Sequence, residues 1–264
     1  MGRDDRASAA RHWAAERALV GQSPAFARMI AAIEQAAATS APVLILGEAG
    51  TRTELVARAI HERSSRRAGP FIRLHCTANV DIMLDELFGH ARGAFAGATT
   101  EKVGLLEGAD GGTLFLDEVG VLDVVVQVYL LQMLYRPPDQ TRLKRRRPEV
   151  RFMSSTGQDI PRMCREMQFR SDVVFMLSEA TVPIPPLRAR GREDIALLAR
   201  YFLDICGTST GRPVAGFTDE AVRMLAAYPW PGNEEELEHA VERAVLLASP
   251  GGAIGPEHLP GSLF

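Results

Sequence analysis

Two hydrophobic textures alternate along the chain. Short unbroken apolar runs mark buried strands, and apolar positions three or four apart mark helices with one buried face. Phe26, Met29, Ile30 and Ile33 are spaced 3, 1 and 3 apart, as a helical face requires, and Ser23 is placed to cap a helix starting at Pro24 or Ala25. Val43–Leu46 reads as a buried strand that runs into a glycine-rich turn and then an amphipathic helix reaching Ile60. Phe71–Leu74 predicts a further strand, Ile82–Phe88 a helix ending at Gly89, and Val150–Ser155 another strand. Gly111-Gly112-Thr113 turns the chain into the apolar run Leu114-Phe115-Leu116, which ends at Asp117-Glu118.

Val121–Tyr135 predicts a helix that is apolar on more than one side. Leu122, Val126, Leu130 and Leu134 form a core face, beside a second stripe of Val121, Val125 and Tyr129. A helix with two apolar faces is either buried all round or meets a partner. From Pro183, Pro185 and Pro186 onward the texture is helical: Glu193–Ile205, then a helix from a Thr218 cap to about Tyr228. A third helix starts at Asn233, whose spacing to Glu236 predicts a capping box. These patterns predict a polar arm over 1–18, an α/β subdomain over 19–182 with helices on both faces of a parallel sheet, and a small all-helical lid over 183–264.

Composition narrows the setting. With 46% hydrophobic and 24% charged residues, the chain has the make-up of a soluble globular protein. Its formal net charge of -3 gives no bulk nucleic-acid footprint. Cys76, Cys164 and Cys206 lack metal-ligand spacing and read as reduced thiols. The charged N-terminus lacks the apolar core of a signal peptide, and Val119–Tyr135 is too short and interrupted to span a bilayer, so a cytoplasmic protein with no membrane contact is expected. Arg142–Arg147 (RLKRRR) reads as a solvated hairpin tip or a contact for nucleic acid or an acidic protein.

The candidate chemistry lies in three places. Gly47–Glu54 has the frame of a phosphate-cradling loop at a helix N-terminus, yet Arg52 and Thr53 stand where G-x-x-x-x-G-K-[ST] requires Gly and Lys. Asp117 and Glu118, at a strand's C-terminal end, suit a magnesium ligand and a residue that orients an attacking water. Gly93-Ala94-Phe95-Ala96-Gly97-Ala98 is a small-residue loop around one aromatic, which reads either as a flexible surface turn or as a partner contact.

GEAGTRTELVARAIHERS, ELFGHARGAFAGA, GGTLFLDEVG, PPLRARGREDI and YPWPGNEEELEHAVERAV occur in the order found in the central AAA+ domain of bacterial sigma-54-dependent transcription activators. The resemblance runs from about Val20 to Leu259. It implies a three-layer AAA+ P-loop fold with a helical lid and a ring oligomer binding ATP at subunit interfaces. Hydrolysis would drive the 93–98 loop against the sigma-54 factor of RNA polymerase. It also implies nucleotide contacts at Gly47, Glu48, Ala49, Gly50, Thr51, Arg52, Thr53, Glu54, Val20, Gly21 and Asp117. The remaining implied roles are magnesium at Asp117, catalysis at Glu118 and an arginine finger at Arg170. Family members usually add a sensory domain and a helix-turn-helix, neither of which is expected in this chain.

The departures from that pattern fall on the phosphate-contacting parts. Besides Arg52 and Thr53, His75 replaces an Asn that restrains the catalytic Glu, and Gly157 replaces a sensor Asn. Met176 replaces a second finger, Glu235 a lid sensor Arg, and Ala96 the Thr of the sigma-contacting loop. Arg52, shifted one residue along the turn from the lysine position, is expected to point its side chain in a different direction. Three readings follow. One is a catalytically lost module that acts through protein contacts, with sigma-54 or with an intact AAA+ relative in a homo- or hetero-oligomer. The second is a protein that still holds ATP or ADP, and the third a working ATPase.

Overall fold

The computed structural model describes residues 19–94, 99–135 and 148–261. They form two compact units, one of residues 31–47 and 56–183, the other of residues 19–30, 48–55 and 184–261. The expected arm over 1–18, Phe95–Ala98 of the small-residue loop and the basic run Arg142–Arg147 lie outside the described residues.

Chain order begins with α1 (Pro24–Ala37), β1 (Val43–Leu46), α2 (Thr53–Arg63), β2 (Phe71–His75) and α3 (Val80–Phe88). A short antiparallel pair, β3 (Gly89–His90) with β4 (Lys102–Val103), brackets the small-residue loop and is followed by α4 (Leu105–Gly108) and β5 (Thr113–Asp117). After a 3-10 turn at Val119–Val121 come α5 (Val124–Tyr135), β6 (Arg151–Thr156), α6 (Ile160–Arg165), α7 (Ser171–Leu177) and β7 (Ala180–Pro183).

The first unit is built on a five-stranded sheet of order β2-β5-β6-β1-β7, parallel throughout. Its central strands are buried on both faces, which is why β1 and β5 read as continuous apolar runs rather than alternating ones. Leu44, Leu114 and Leu116 pack with Met83, Leu87, Leu122, Val126 and Leu130 on one side. Each such side chain contributes roughly 1.5–3 kcal/mol by leaving water.

Two expectations are corrected here. The helix predicted from Val121 starts at Val124, because Asp123 accepts the Val125 N–H at 2.8 Å and so delays the start. Val121 therefore sits in the preceding 3-10 turn, and only Val125 and Tyr129 of the second stripe lie on α5, both exposed, with Val124 beside them. Pro183, read as linker, closes a fifth strand. It is tolerated there because β7 pairs with β1 alone and lies at the sheet edge.

The second unit carries the lid: α8 (Arg192–Thr210), β8 (Gly216–Phe217), α9 (Asp219–Ala227), α10 (Asn233–Leu247) and β9 (Ala253–Ile254). Thr218 caps α9 through the Ala221 N–H, as its position predicted. The lid is helical apart from a two-residue parallel pairing of β8 with β9, which the all-helical expectation did not include. Its core closes around Trp230, fully buried, whose indole N–H donates to Leu225 O at 2.8 Å.

The capping box is also revised. Glu236 accepts the Gly232 N–H at 2.8 Å, so Gly232 is the cap and Asn233 is the first helical residue. The buried Asn233 side chain is used elsewhere. It donates to Ala49 O at 2.8 Å and accepts the Leu187 N–H at 2.9 Å.

Candidate functional site

The glycine loop belongs, by its packing, to the lid's unit. Gly50 has φ +77°, and a Cβ there would lie 2.1 Å from Gly232 O, so the turn demands glycine both for its backbone and for its neighbour. Thr51 stays inside the turn: its backbone N–H and its hydroxyl both donate to Glu48 O, at 3.2 and 2.7 Å. Glu48 is held by Arg188 through two hydrogen bonds of 2.7 and 2.5 Å, which keep its carboxyl below the usual range. Gly50 O accepts the Glu235 N–H at 3.3 Å, while the Glu235 side chain is exposed. Thr53 and Glu54 open α2, and Leu55 N–H donates back to Arg52 O.

Arg52 occupies the left-handed region, with φ +58°. The phosphate-loop consensus has glycine here, and an L-residue in this conformation costs on the order of 1 kcal/mol. Its guanidinium runs to the lid: it pairs with Glu238, lies 3.8 Å from Glu234, and covers the Phe202 ring at 5.1 Å. The Arg52 side chain is thus engaged by lid carboxylates. Sequence reading missed these partners, since Glu234 and Glu238 reach Arg52 only through the tertiary fold.

Val20 and Gly21 sit under the same network. Arg190 donates to Val20 O and spans Asp194 (3.0 Å) and Glu234 (2.5 Å). Asp194, fully buried, also accepts both backbone N–H groups of Gln22 and Ser23 and the Ser23 hydroxyl. A Cβ on Gly21 would lie 2.5 Å from both Arg190 Nη2 and the Phe26 ring.

The acidic strand end is described within the sheet unit. Register places His75 opposite Asp117 and Arg73 opposite Phe115, so Arg73 and His75 share the face on which Asp117 emerges. Asp117 is buried. It accepts Arg73 at 2.6 and 3.1 Å and the Ser155 hydroxyl at 2.6 Å, with His75 Nδ1 at 3.5 Å. Burial pushes its carboxyl up, but the bonds from Ser155, Arg73 and His75 outweigh that and hold it below the usual range. Glu118 is left-handed (φ 61°). Its N–H donates to Ser155 Oγ at 3.0 Å, and its carboxylate accepts the Gly157 N–H at 3.4 Å. Arg73 was not singled out in the sequence, although its i, i+2 spacing to His75 on a strand was a legible signal.

Arg170 lies just before α7, its N–H held by the buried Gln127 Oε1 at 2.8 Å. Its guanidinium folds onto Asp172 at 2.7 and 3.0 Å. Gly93 (φ +82°) and Ala94, the described start of the small-residue loop, are exposed. Among the described residues no cluster of His, Cys, Asp and Glu has the arrangement of a metal site, and no helix is long and apolar enough to cross a membrane.

A glycine loop after β1, an acidic end to β5 and a helical lid in one chain match known families along nearly its whole length. Residues 19–183 match the Sigma-54 interaction domain, and residues 188–264 the AAA+ ATPase lid domain. The chain belongs to the sigma-54 interaction domain family. It is 44% identical over 239 residues to the nitric oxide reductase transcription regulator NorR2 of Cupriavidus necator, covering 89% of this chain and 46% of that protein. It is 43% identical over 251 residues to the transcriptional regulatory protein ZraR of Klebsiella oxytoca, covering 94% and 56%. Crystal structures of NtrX from Brucella abortus in complex with ADP and with ATP superpose with TM-scores of 0.80 and 0.81 at 36% identity, covering 94% and 93% of this chain and 56% and 57% of theirs. The chain thus spans about half the length of the relatives it matches. The AAA+ fold, a parallel sheet with flanking helices and a helical lid, is shared with them.

Proposed function

We propose that this sigma-54 interaction domain serves transcription regulation through protein contacts, without hydrolysing ATP. The observation that carries this reading is the Asp117 carboxylate, the candidate magnesium ligand, held by the Arg73 guanidinium and the Ser155 hydroxyl. A cation already sits on the oxygens that a metal would need, and bringing a second one there meets like-charge repulsion. The loop agrees, with Thr53 at the lysine position and Arg52 turned to lid carboxylates. Loss of the loop lysine, a sensor, a lid arginine and one finger removes contributions that act together on the transferring phosphoryl group. The residues present therefore do not fit a magnesium–polyphosphate group, and no catalytic step is derived through one.

The partners that fit this reading are sigma-54, through the loop at 93–98, and a second AAA+ chain, identical or intact, with the exposed pair Val125 and Tyr129 as a contact surface. A cytoplasmic location follows from such partners. A second reading, retained binding of ATP or ADP without turnover, is favoured by the NtrX structures, which hold both nucleotides.

Titration with a fluorescent ATP analogue and Mg²⁺ separates the two: no binding at millimolar nucleotide supports the first and removes the second. A turnover assay on the wild type and on the Thr53→Lys, Arg52→Gly, Glu235→Arg variant tests the account of the defect. Ready hydrolysis by the wild type would overturn it.

A further inference from the structure

The loop and the lid are joined by opposite charges, where the family pattern implies a cation on each side. In the family pattern the loop offers a lysine and the lid a sensor arginine, with a polyphosphate between these cations. Here the loop offers the Arg52 guanidinium and the first turns of α10 offer Glu234 and Glu238, so cation and anion meet directly. The contact extends inward as an alternating row of Glu238, Arg52, Glu234, Arg190 and Asp194. Asp194 and Arg190 are almost wholly buried, and the Arg52 and Glu234 side chains are only 14% and 17% exposed.

Such a row is costly to desolvate unless every member is matched, and its members are placed accordingly. Burial pushes the Glu234 carboxyl up, and the Arg190 and Arg52 guanidinium groups on either side of it pull against that. Arg52 also tolerates a left-handed backbone, a conformation that persists in a non-glycine residue when surrounding contacts hold it. The Phe202 ring also lies against the guanidinium, 5.1 Å from its centre.

We infer that Arg52 is an internal clasp: it bridges loop to lid through side-chain charge, so the loop–lid joint is ordered by the chain's own charges and needs no bound anion. The inference rests on the loss of nucleotide chemistry proposed above, and it names what took the ligand's place.

The test is hydrogen exchange of peptides spanning residues 48–55 and 233–240, without nucleotide, in the wild type, Arg52→Gly, Glu238→Gln and the double variant. The clasp predicts exchange in both peptides faster by on the order of tenfold in Arg52→Gly, the scale of a hydrogen bond to a charged group. It also predicts a smaller increase in Glu238→Gln, and a double variant no faster than Arg52→Gly alone. Glycine relieves the backbone strain at position 52, so slower or unchanged exchange in Arg52→Gly would overturn the clasp, as would additive effects of the two changes. Glu238→Gln keeps size and shape, and protects the test if Arg52→Gly folds poorly. ATP turnover, measured separately on the same wild-type sample, bears on the loss of hydrolysis alone. Turnover alongside the expected exchange cycle would sink that reading and would keep the loop–lid bridge but not its place as the ligand's substitute.

Discussion

Arg73 and Asp117 stand on adjacent parallel strands, two residues apart in register on one face, and the guanidinium of one holds the buried carboxylate of the other at 2.6 Å. The Arg73 side chain is 43% exposed, so solvent screening keeps the pair itself to about 1 kcal/mol or less. Removing Arg73 costs more than that, because a buried carboxylate is left with fewer partners. Arg73→Met is expected to lower unfolding free energy by about 1–3 kcal/mol, and Arg73→Met combined with Asp117→Asn to recover part of the loss. Urea denaturation of both variants at neutral pH measures the cycle; simple additivity would show that the two residues do not communicate. Asp117's lowered carboxyl gives a contribution that is full at neutral pH and lost only in acid, as pH falls through its folded value below about 4.

Gln127 is a polar residue sealed in the core, donating to Leu122 O and Gln168 O and accepting the Arg170 N–H. The Gln127→Leu variant leaves that N–H and two carbonyls without their partner, at about 1–3 kcal/mol for each buried group left unsatisfied. Its thermal midpoint is expected to drop by several degrees. Protease cleavage near residues 166–172 is expected to rise, since the amide fixes the segment that positions Arg170. A midpoint equal to that of the wild type would mean that the segment is held by its apolar contacts alone.

His61 is buried, with Nδ1 2.9 Å from the Thr113 hydroxyl, and burial pushes its pKa down. The unfolded chain then binds a proton more readily than the folded one below about pH 6.5. Stability contributed at neutral pH is therefore lost as pH falls from the unfolded value toward the folded one. Glu234 acts with the opposite sign, since a raised carboxyl favours the folded state as acid is added. Thermal melts between pH 7.5 and 5.5 are expected to show a steeper loss in the wild type than in His61→Asn. Parallel slopes would assign the effect to other groups.

Val125 and Tyr129 leave 48% and 44% of their surface exposed on α5, with the Tyr129 ring against the partly exposed Phe88 at 5.9 Å. Single exposed apolar residues are ordinary; several on one face of a helix mark a contact. Val125→Glu is expected to keep the melting midpoint within about 0.5 kcal/mol of wild type in stability terms while lowering the mass seen by light scattering. An unchanged mass would leave the stripe as plain surface.

The central strands are legible in the sequence because their signal is local: Val43–Leu46 and Leu114–Leu116 are apolar on both faces, and a glycine turn bounds each. The Thr218 cap and the α1 face were legible for the same reason. β7 was not. A four-residue strand ending in proline carries no local mark that separates it from a linker, and only its pairing with β1 makes it a strand. Asn233 looked like a cap, yet the fold spends its amide on Ala49 and Leu187.

The substitutions themselves were visible in the chain: arginine at 52, threonine at 53, glutamate at 235. A one-dimensional pattern shows that a lysine or a glycine is missing from a motif. It does not show where the replacing side chain goes, because Arg52 and Glu238 are 186 residues apart and meet only when the lid packs on the loop. The fold class followed from short-range periodicity, and the family resemblance from the order of the motifs. The pairing of loop with lid and of Arg73 with Asp117 was decided by tertiary structure, since charge partners are chosen by distance in space, where Coulomb attraction and desolvation act.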